Sequence, residues 1–237
     1  CSEKDPMCCY YQAYFQALLG RGAKAQQLLV KAEGLPAGCC FPNKLEDIAV
    51  LRFAIAQGCS ARAPYYLGCL FYDKQQWEEA VSLWEGAAKA DPSFPTVWRN
   101  LALAYYNKQK DGEKARKALE KAFSLDPADA RVFLELDQLY KKLGQHFEER
   151  LERFEAHPAL AAARDDLYIE WITLLNAAGR YEEALEHLMG RHFHPWEGGE
   201  GKAAAQYTLA LTELAKKALK AGQAETAGGF LRKALTY

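Results

Sequence analysis

Cysteine is missing from the last two thirds of this chain. All seven cysteines, Cys1, Cys8, Cys9, Cys39, Cys40, Cys59 and Cys69, fall in the first third. None forms a C-x-x-C pair and two pairs are directly adjacent, which suits neither a zinc knuckle nor a redox motif. The reading is of free thiols packed as small apolar side chains in a reducing cytosol. Long apolar runs are also missing. None approaches the roughly 18–20 residues that a membrane span needs, and the opening residues do not read as a signal peptide. Charge of either sign is not in excess: 30 basic against 31 acidic residues give a formal net charge of -1. Nucleic-acid binders concentrate positive charge along one face, so the balance argues against such a partner. A cytoplasmic protein with no membrane partner is expected.

The usual catalytic signatures are absent too. There is no G-x-S-x-G elbow and no G-x-G-x-x-G opening a helix after a strand. Glu-Glu pairs are frequent but sit at helix starts, where carboxylates favour the positive end of the dipole, and read as solvated surface. The stretch "RHFHPWEGGEGKAAAQY", Arg191 to Tyr207, is rich in histidine and glycine. A phosphate loop fails there twice, because Trp196 stands where its first glycine belongs and Ala203 follows Lys202. A metal site would use His187, His192 and His194 with Glu186, but His187 and His192 fall on different helical faces and no H-E-x-x-H pattern exists. Pro195 follows Ala184 by 11 residues and is expected to stop a helix. The stretch therefore reads as a long corner, with Trp196 available to a partner. No cofactor, no metal and no enzymatic activity are expected.

What the sequence does have is a period. "PYYLGCLFYDKQQWEEAVSLWEGAAKADP" from Pro64 aligns with "WRNLALAYYNKQKDGEKARKALEKAFSLDP" from Trp98. Leu67-Gly68 falls on Leu101-Ala102 and Phe71 on Tyr105 at an offset of 34. Ala80 then falls on Ala115, Trp84 on Leu119 and Pro92 on Pro127 at 35, so one residue is inserted between Tyr105 and Ala115 and is expected in the turn. Leu67, Gly68 and Phe71 share one face of a first helix. Gly68 and Ala80 are small where two antiparallel helices come closest, and Trp84 fills the space beside them. Asp91-Pro92 and Asp126-Pro127 stop the second helix. "WEEAV" at 77 returns as "FEERL" at 147 and "YEEAL" at 181. In the first return Arg150 replaces the small residue and Pro158 arrives early, predicting a short second helix with looser packing. The next unit has Ala184 in the small position. Gly222 and Ala227 mark a last pair. Upstream, Lys44 to Ala56 reads as one amphipathic helix and Asp5 to Ala32 as a pair broken at Gly20–Gly22.

A period near 34 with large, small, large and proline positions in this order resembles the tetratricopeptide repeat. The resemblance implies an all-α, right-handed α-solenoid of antiparallel helix pairs over 1–237. Its divisions are divergent helical units over 1–60, two clear repeats over 61–129, a degenerate unit over 130–164, a unit with an extended connector over 165–200, and a last pair over 201–237. The repeat-packing residues are Leu67, Gly68, Phe71, Ala80, Trp84, Trp98, Leu101, Tyr105, Ala115, Leu119 and Ala184. Solenoids need capping units, and neither end reads as one, so a fragment of a longer protein is expected.

The resemblance also implies a non-catalytic scaffold whose first helices line a groove for a protein or peptide partner. Groove positions carried over in this way include Arg62, Tyr65, Tyr66 and Tyr72 in the first clear repeat. Arg99, Asn100, Tyr106 and Asn107 follow in the second, and Arg131 in the next. The alternative for Tyr66 and Tyr106 is that they fill space between units. One subclass of the family grips a partner's C-terminal carboxylate. Asn100 and Arg131 fit its pattern, whereas Tyr65, Cys69 and Glu135 do not. The stretches "RHFHPWEGGEGK", "APYYLG" and "FPTVWRNLALAYYNK" further resemble the repeat region of large bacterial proteins with an N-terminal β-rich domain. That resemblance implies an alternative, an accessory module of a carbohydrate-active protein with any catalysis in the missing domain, itself then a partner within the same polypeptide.

Overall fold

The computed structural model describes residues 5–38, 40–194 and 200–236. Among the described residues every regular element is helical, and no helix is long and apolar enough to cross a membrane. The chain divides into two compact units, Cys1–Asp126 and Pro127–Tyr237. The division falls within the second Asp-Pro pair. Pro127 cannot extend the helix that ends at Leu125.

The first unit holds α1 (Pro6–Leu18), α2 (Gly22–Gly34), α3 (Leu45–Ala56), α4 (Arg62–Asp73), α5 (Trp77–Ala90), α6 (Pro95–Ala104) and α7 (Gly112–Leu125). Asp5 caps α1 by accepting from the Met7 amide at 2.9 Å, with Pro6 in the first turn where its missing donor costs nothing. Gly20, at φ +73°, turns the chain between α1 and α2. No local side chain caps α4. Glu33, at the end of α2, does so instead, accepting from the amides of Ala61, Arg62 and Ala63 at 3.2, 3.1 and 2.8 Å and from the Tyr10 hydroxyl at 2.6 Å. One carboxylate thus ties three helices together at the positive end of the third.

The small-against-large contact is as the repeat predicts. A Cβ on Gly68 would stand 2.5 Å from Trp84 Nε1 and 3.2 Å from the Ala80 carbonyl. The Trp84 indole fills that space and donates to the Tyr65 carbonyl at 3.1 Å. Ala80, Trp84, Leu101, Tyr105, Ala115 and Leu119 are all buried. Trp98 is only half-buried and donates to the Pro92 carbonyl at 3.0 Å, so it braces the turn more than it fills the hairpin.

The inserted residue is not in the turn. It is taken up inside the helix, where Tyr105–Gln109 wind as a π turn at the end of α6. The left-handed residue that ends α4 is Gln75 and the one that ends this segment is Lys110, an offset of 35, whereas Phe71 and Tyr105 still differ by 34.

The second unit holds α8 (Ala130–Lys142), α9 (Phe147–Ala156), α10 (Pro158–Ala162), α11 (Asp165–Ala177), α12 (Tyr181–Met189), α13 (Glu200–Lys220) and α14 (Ala224–Ala234). α9 is short, as Pro158 predicts, but its packing is not loose at Arg150. That side chain is 4% exposed and binds Asp137 through Nε at 2.9 Å and through one terminal nitrogen at 2.7 Å. It also reaches Glu170 at 2.6 Å, and Lys141 meets the same carboxylate at 2.7 Å. A buried ion network replaces the small-residue contact because the guanidinium finds two carboxylates where its desolvation would otherwise be uncompensated. Ala184 is fully buried, as its place in the repeat predicts.

Candidate partner-binding face

Eight of the nine predicted groove residues lie on α4, α6 and the π turn of the first unit, and Arg131 belongs to the second. α4 and α6 are neighbours, with the Asn100 amide 3.6 Å from the Cys69 sulfur and the Tyr65 ring 4.7 Å from that of Phe94. Tyr66 is 0% exposed, edge-on to Tyr10 and Tyr65, so it is a core residue and not a groove contact. Tyr65 is also buried, under Phe94 and Tyr66. The cause is the aromatic Phe94 at the mouth of α6, which closes over this end of α4. Arg62 is half-buried and committed. Its guanidinium stacks 3.7 Å from the Phe94 ring centre and pairs with Asp91 at 3.1 Å. The hydrogen bonds from Ser93, and then Arg62, hold the Asp91 carboxyl below its ordinary value.

The surface that stays open is therefore set toward the C-terminal half of α4 and along α6. Tyr72, Arg99, Asn100 and Tyr106 are half-buried, while Asp73, Leu103 and Asn107 are exposed. Tyr72 meets Trp77 edge-on and Trp84 at a tilt, with ring centres 4.8 and 5.2 Å apart. The π turn carries Lys108 to 3.6 Å above the Trp77 ring, a cation–π contact at the rim. In the second unit Arg131 is exposed and pairs with Glu135 at 3.3 Å.

The arrangement offers hydrogen-bonding amides, a guanidinium and aromatic edges, and nothing that resembles a nucleophile with its base. Burial pushes the Cys40 and Cys69 thiols up to about 11 and Cys59 up to about 12, so they stay protonated and unreactive at neutral pH. Cys1 and Cys39 lie outside the described residues. No cluster of three or more potential metal ligands occurs among the described residues.

The histidine-rich corner is built around one carboxylate. Asp165, 1% exposed, accepts from Arg191 Nε at 2.7 Å and from the His194 amide at 2.7 Å, and meets His194 Nδ1 at 3.0 Å. Burial pushes its carboxyl up, but the His194 amide and the Arg191 guanidinium outweigh that and hold it below the ordinary 3.8. His187 meets the Tyr168 hydroxyl at 2.7 Å. These rings hold the start of the connector against α11. Pro195 and Trp196, expected as helix stop and partner contact, lie outside the described residues.

Residues 68–109 match a family model described as TPR repeat. Among solved structures, YrrB, a TPR protein with an unusual peptide-binding site, is 18% identical with a TM-score of 0.54, over 78% of this chain and 91% of its own. The pilF protein of Pseudomonas aeruginosa is 19% identical with a TM-score of 0.51, over 96% of this chain and 90% of its own. The family-model match supports a TPR repeat over those residues. At these identities the likeness to the solved structures is one of fold, an all-α array of antiparallel helix pairs. The matched segment runs from the TPR small position, Gly68, to the end of the π turn, so it contains the open part of the face just described.

Proposed function

We propose that this chain is a non-catalytic TPR scaffold that binds an extended peptide or a partner protein on the α4/α6 face. The observation that carries the reading is the open strip from Tyr72 through Arg99, Asn100 and Leu103 to Asn107, where apolar edges alternate with amide and guanidinium donors. Such a strip packs against side chains while hydrogen-bonding an extended backbone. YrrB, with its peptide-binding site, lends support as a neighbour in fold. Selection from a displayed peptide library on the immobilised chain, repeated on the Arg99→Glu/Asn107→Glu variant, tests it. Peptides enriched by the parent should bind the variant at least about tenfold more weakly, with unchanged circular dichroism. Equal binding by both would remove this face from the account.

The finer resemblance, to the helical part of bacterial proteins that carry a β-rich domain, rests on three short stretches, one of which runs through residues outside the described structure. The gene sequence upstream of Cys1 tests it. A β-rich neighbour supports it and a helical one overturns it.

A further inference from the structure

Consecutive second helices flank a groove over the first helix between them, and the first unit has two such grooves. Over α6, the walls α5 and α7 are joined at Glu85, and a pocket of about 410 Å³ remains beside that junction, along Ala88, Leu101 and Tyr105. Lys114 pairs with Glu85 at 2.9 Å, the Tyr105 hydroxyl donates to the same carboxylate at 2.8 Å, and the lysine sits 4.0 Å above the Tyr105 ring. Over α4, between α3 and α5, none of these closures is present. Phe71 takes the place of Tyr105 and has no hydroxyl, and Glu79 takes the place of Lys114. The cation is on the other wall, where Arg52 of α3 lies 5.9 Å from the Phe71 ring centre. Among the described residues, Arg52 makes no ion pair with Glu78 or Glu79. What remains is an open pocket of about 540 Å³. Ile55 and Leu83, both half-buried, are its accessible apolar walls, and beneath them Leu67 and Phe71 are buried at its base. Ser82 is small, and one turn further an added Cβ on Gly86 would meet open space, so the α5 wall stands back.

Leu67 and Phe71 lie on the side of α4 opposite Cys69 and Tyr72, so this groove is separate from the α4/α6 face. An extended strand has no sheet edge here to take its backbone donors, whereas a helix arrives with those donors already satisfied and needs only an apolar ridge. The charges complete the description of the occupant. Two carboxylates, without ion-pair partners among the described residues, stand on one wall and a guanidinium on the other.

We propose that the α3/α5 groove docks an amphipathic helix of a partner protein, its apolar ridge between Ile55 and Leu83, a basic flank toward Glu78 and Glu79 and an acidic flank toward Arg52. The probe is a fluorescein-labelled synthetic peptide of about 15 residues, long enough to be partly helical alone. It carries leucines at i, i+3 and i+7, lysines on one flank and glutamates on the other. A second peptide has glutamine at every charged position. Fluorescence anisotropy should show saturable binding of the charged peptide to the parent. Ser82→Trp, which fills the groove, and Glu78→Lys/Glu79→Lys, both at exposed positions, should each weaken it at least about tenfold. Arg99→Glu should leave it unchanged, and the glutamine peptide should bind more weakly. Circular dichroism melts verify folding. If Ser82→Trp unfolds, the exposed glutamate pair decides alone. No saturable binding, equal binding by the glutamate variant, or loss in Arg99→Glu instead would overturn the proposal. So would self-association of the parent that Ser82→Trp abolishes, which would assign the groove to a second copy.

Discussion

At the scale of single residues, the two aligned hairpins state the same packing rule with different side chains. Gly68 faces Trp84, and the aligned pair is Ala102 with Leu119. An alanine methyl at position 68 would stand inside the indole's contact distance. Gly68→Ala should therefore cost about 1–3 kcal/mol through overpacking, and adding Trp84→Leu should recover part of that cost. Chemical denaturation of the two single variants and the double variant gives the coupling directly, and strictly additive effects would contradict the contact. Arg150 makes the opposite case. Arg150→Ala should cost about 3–5 kcal/mol by leaving Asp137 buried without its partner, while Arg150→Leu/Asp137→Leu should be near neutral. Urea melts that rank these two variants the other way would refute the network. Asp165 adds a pH dependence. Its folded carboxyl is held below 3.8, so its contribution is present above the unfolded value and is lost as pH falls through the folded one. Asp165→Asn should cost about 2 kcal/mol at neutral pH, and the gap from the parent should close below about pH 4. A gap that stays constant down to pH 2.5 or so would contradict the assignment.

Elements show where sequence reading succeeds and where it stops. The hairpins were readable because helix packing leaves a periodic trace: a small residue where backbones approach, a bulky one beside it, and proline after it. The extra residue between Tyr105 and Ala115 was visible as a change of offset, but not its place. A turn and a π winding have the same length, and only the backbone shows that the helix absorbed it. Glu33 is not legible as a cap from the sequence, because it caps α4 from 28 residues upstream of Ala61, beyond any local capping motif. Register assigns Tyr65 and Tyr66 a groove face but not what covers them: Phe94 closes over Tyr65, and Tyr10 of α1 packs on Tyr66. Arg150 read as a fault in the repeat since its two carboxylates are 13 and 20 residues away. Deleting Gln109 should restore regular α-helix to the end of α6. The loss of Lys108 from Trp77 should then appear as a changed Trp emission and a cooperative melt within about 1 kcal/mol of the parent. Unchanged emission would show that the π turn does not deliver the lysine.

For the whole molecule, the division into Cys1–Asp126 and Pro127–Tyr237 means that the proposed partner-binding face on α4 and α6 belongs to one unit. The central claim is that this unit presents a peptide-binding surface, and a photo-activatable amino acid placed at two exposed sites tests it most directly. One copy of the chain carries it at Leu103, within the open strip, and another at Lys117, exposed on α7 away from that strip. Irradiation in native lysate followed by mass analysis should give a discrete protein adduct at Leu103 and none at Lys117. Adducts of equal yield at the two sites, or at Lys117 alone, would contradict the account.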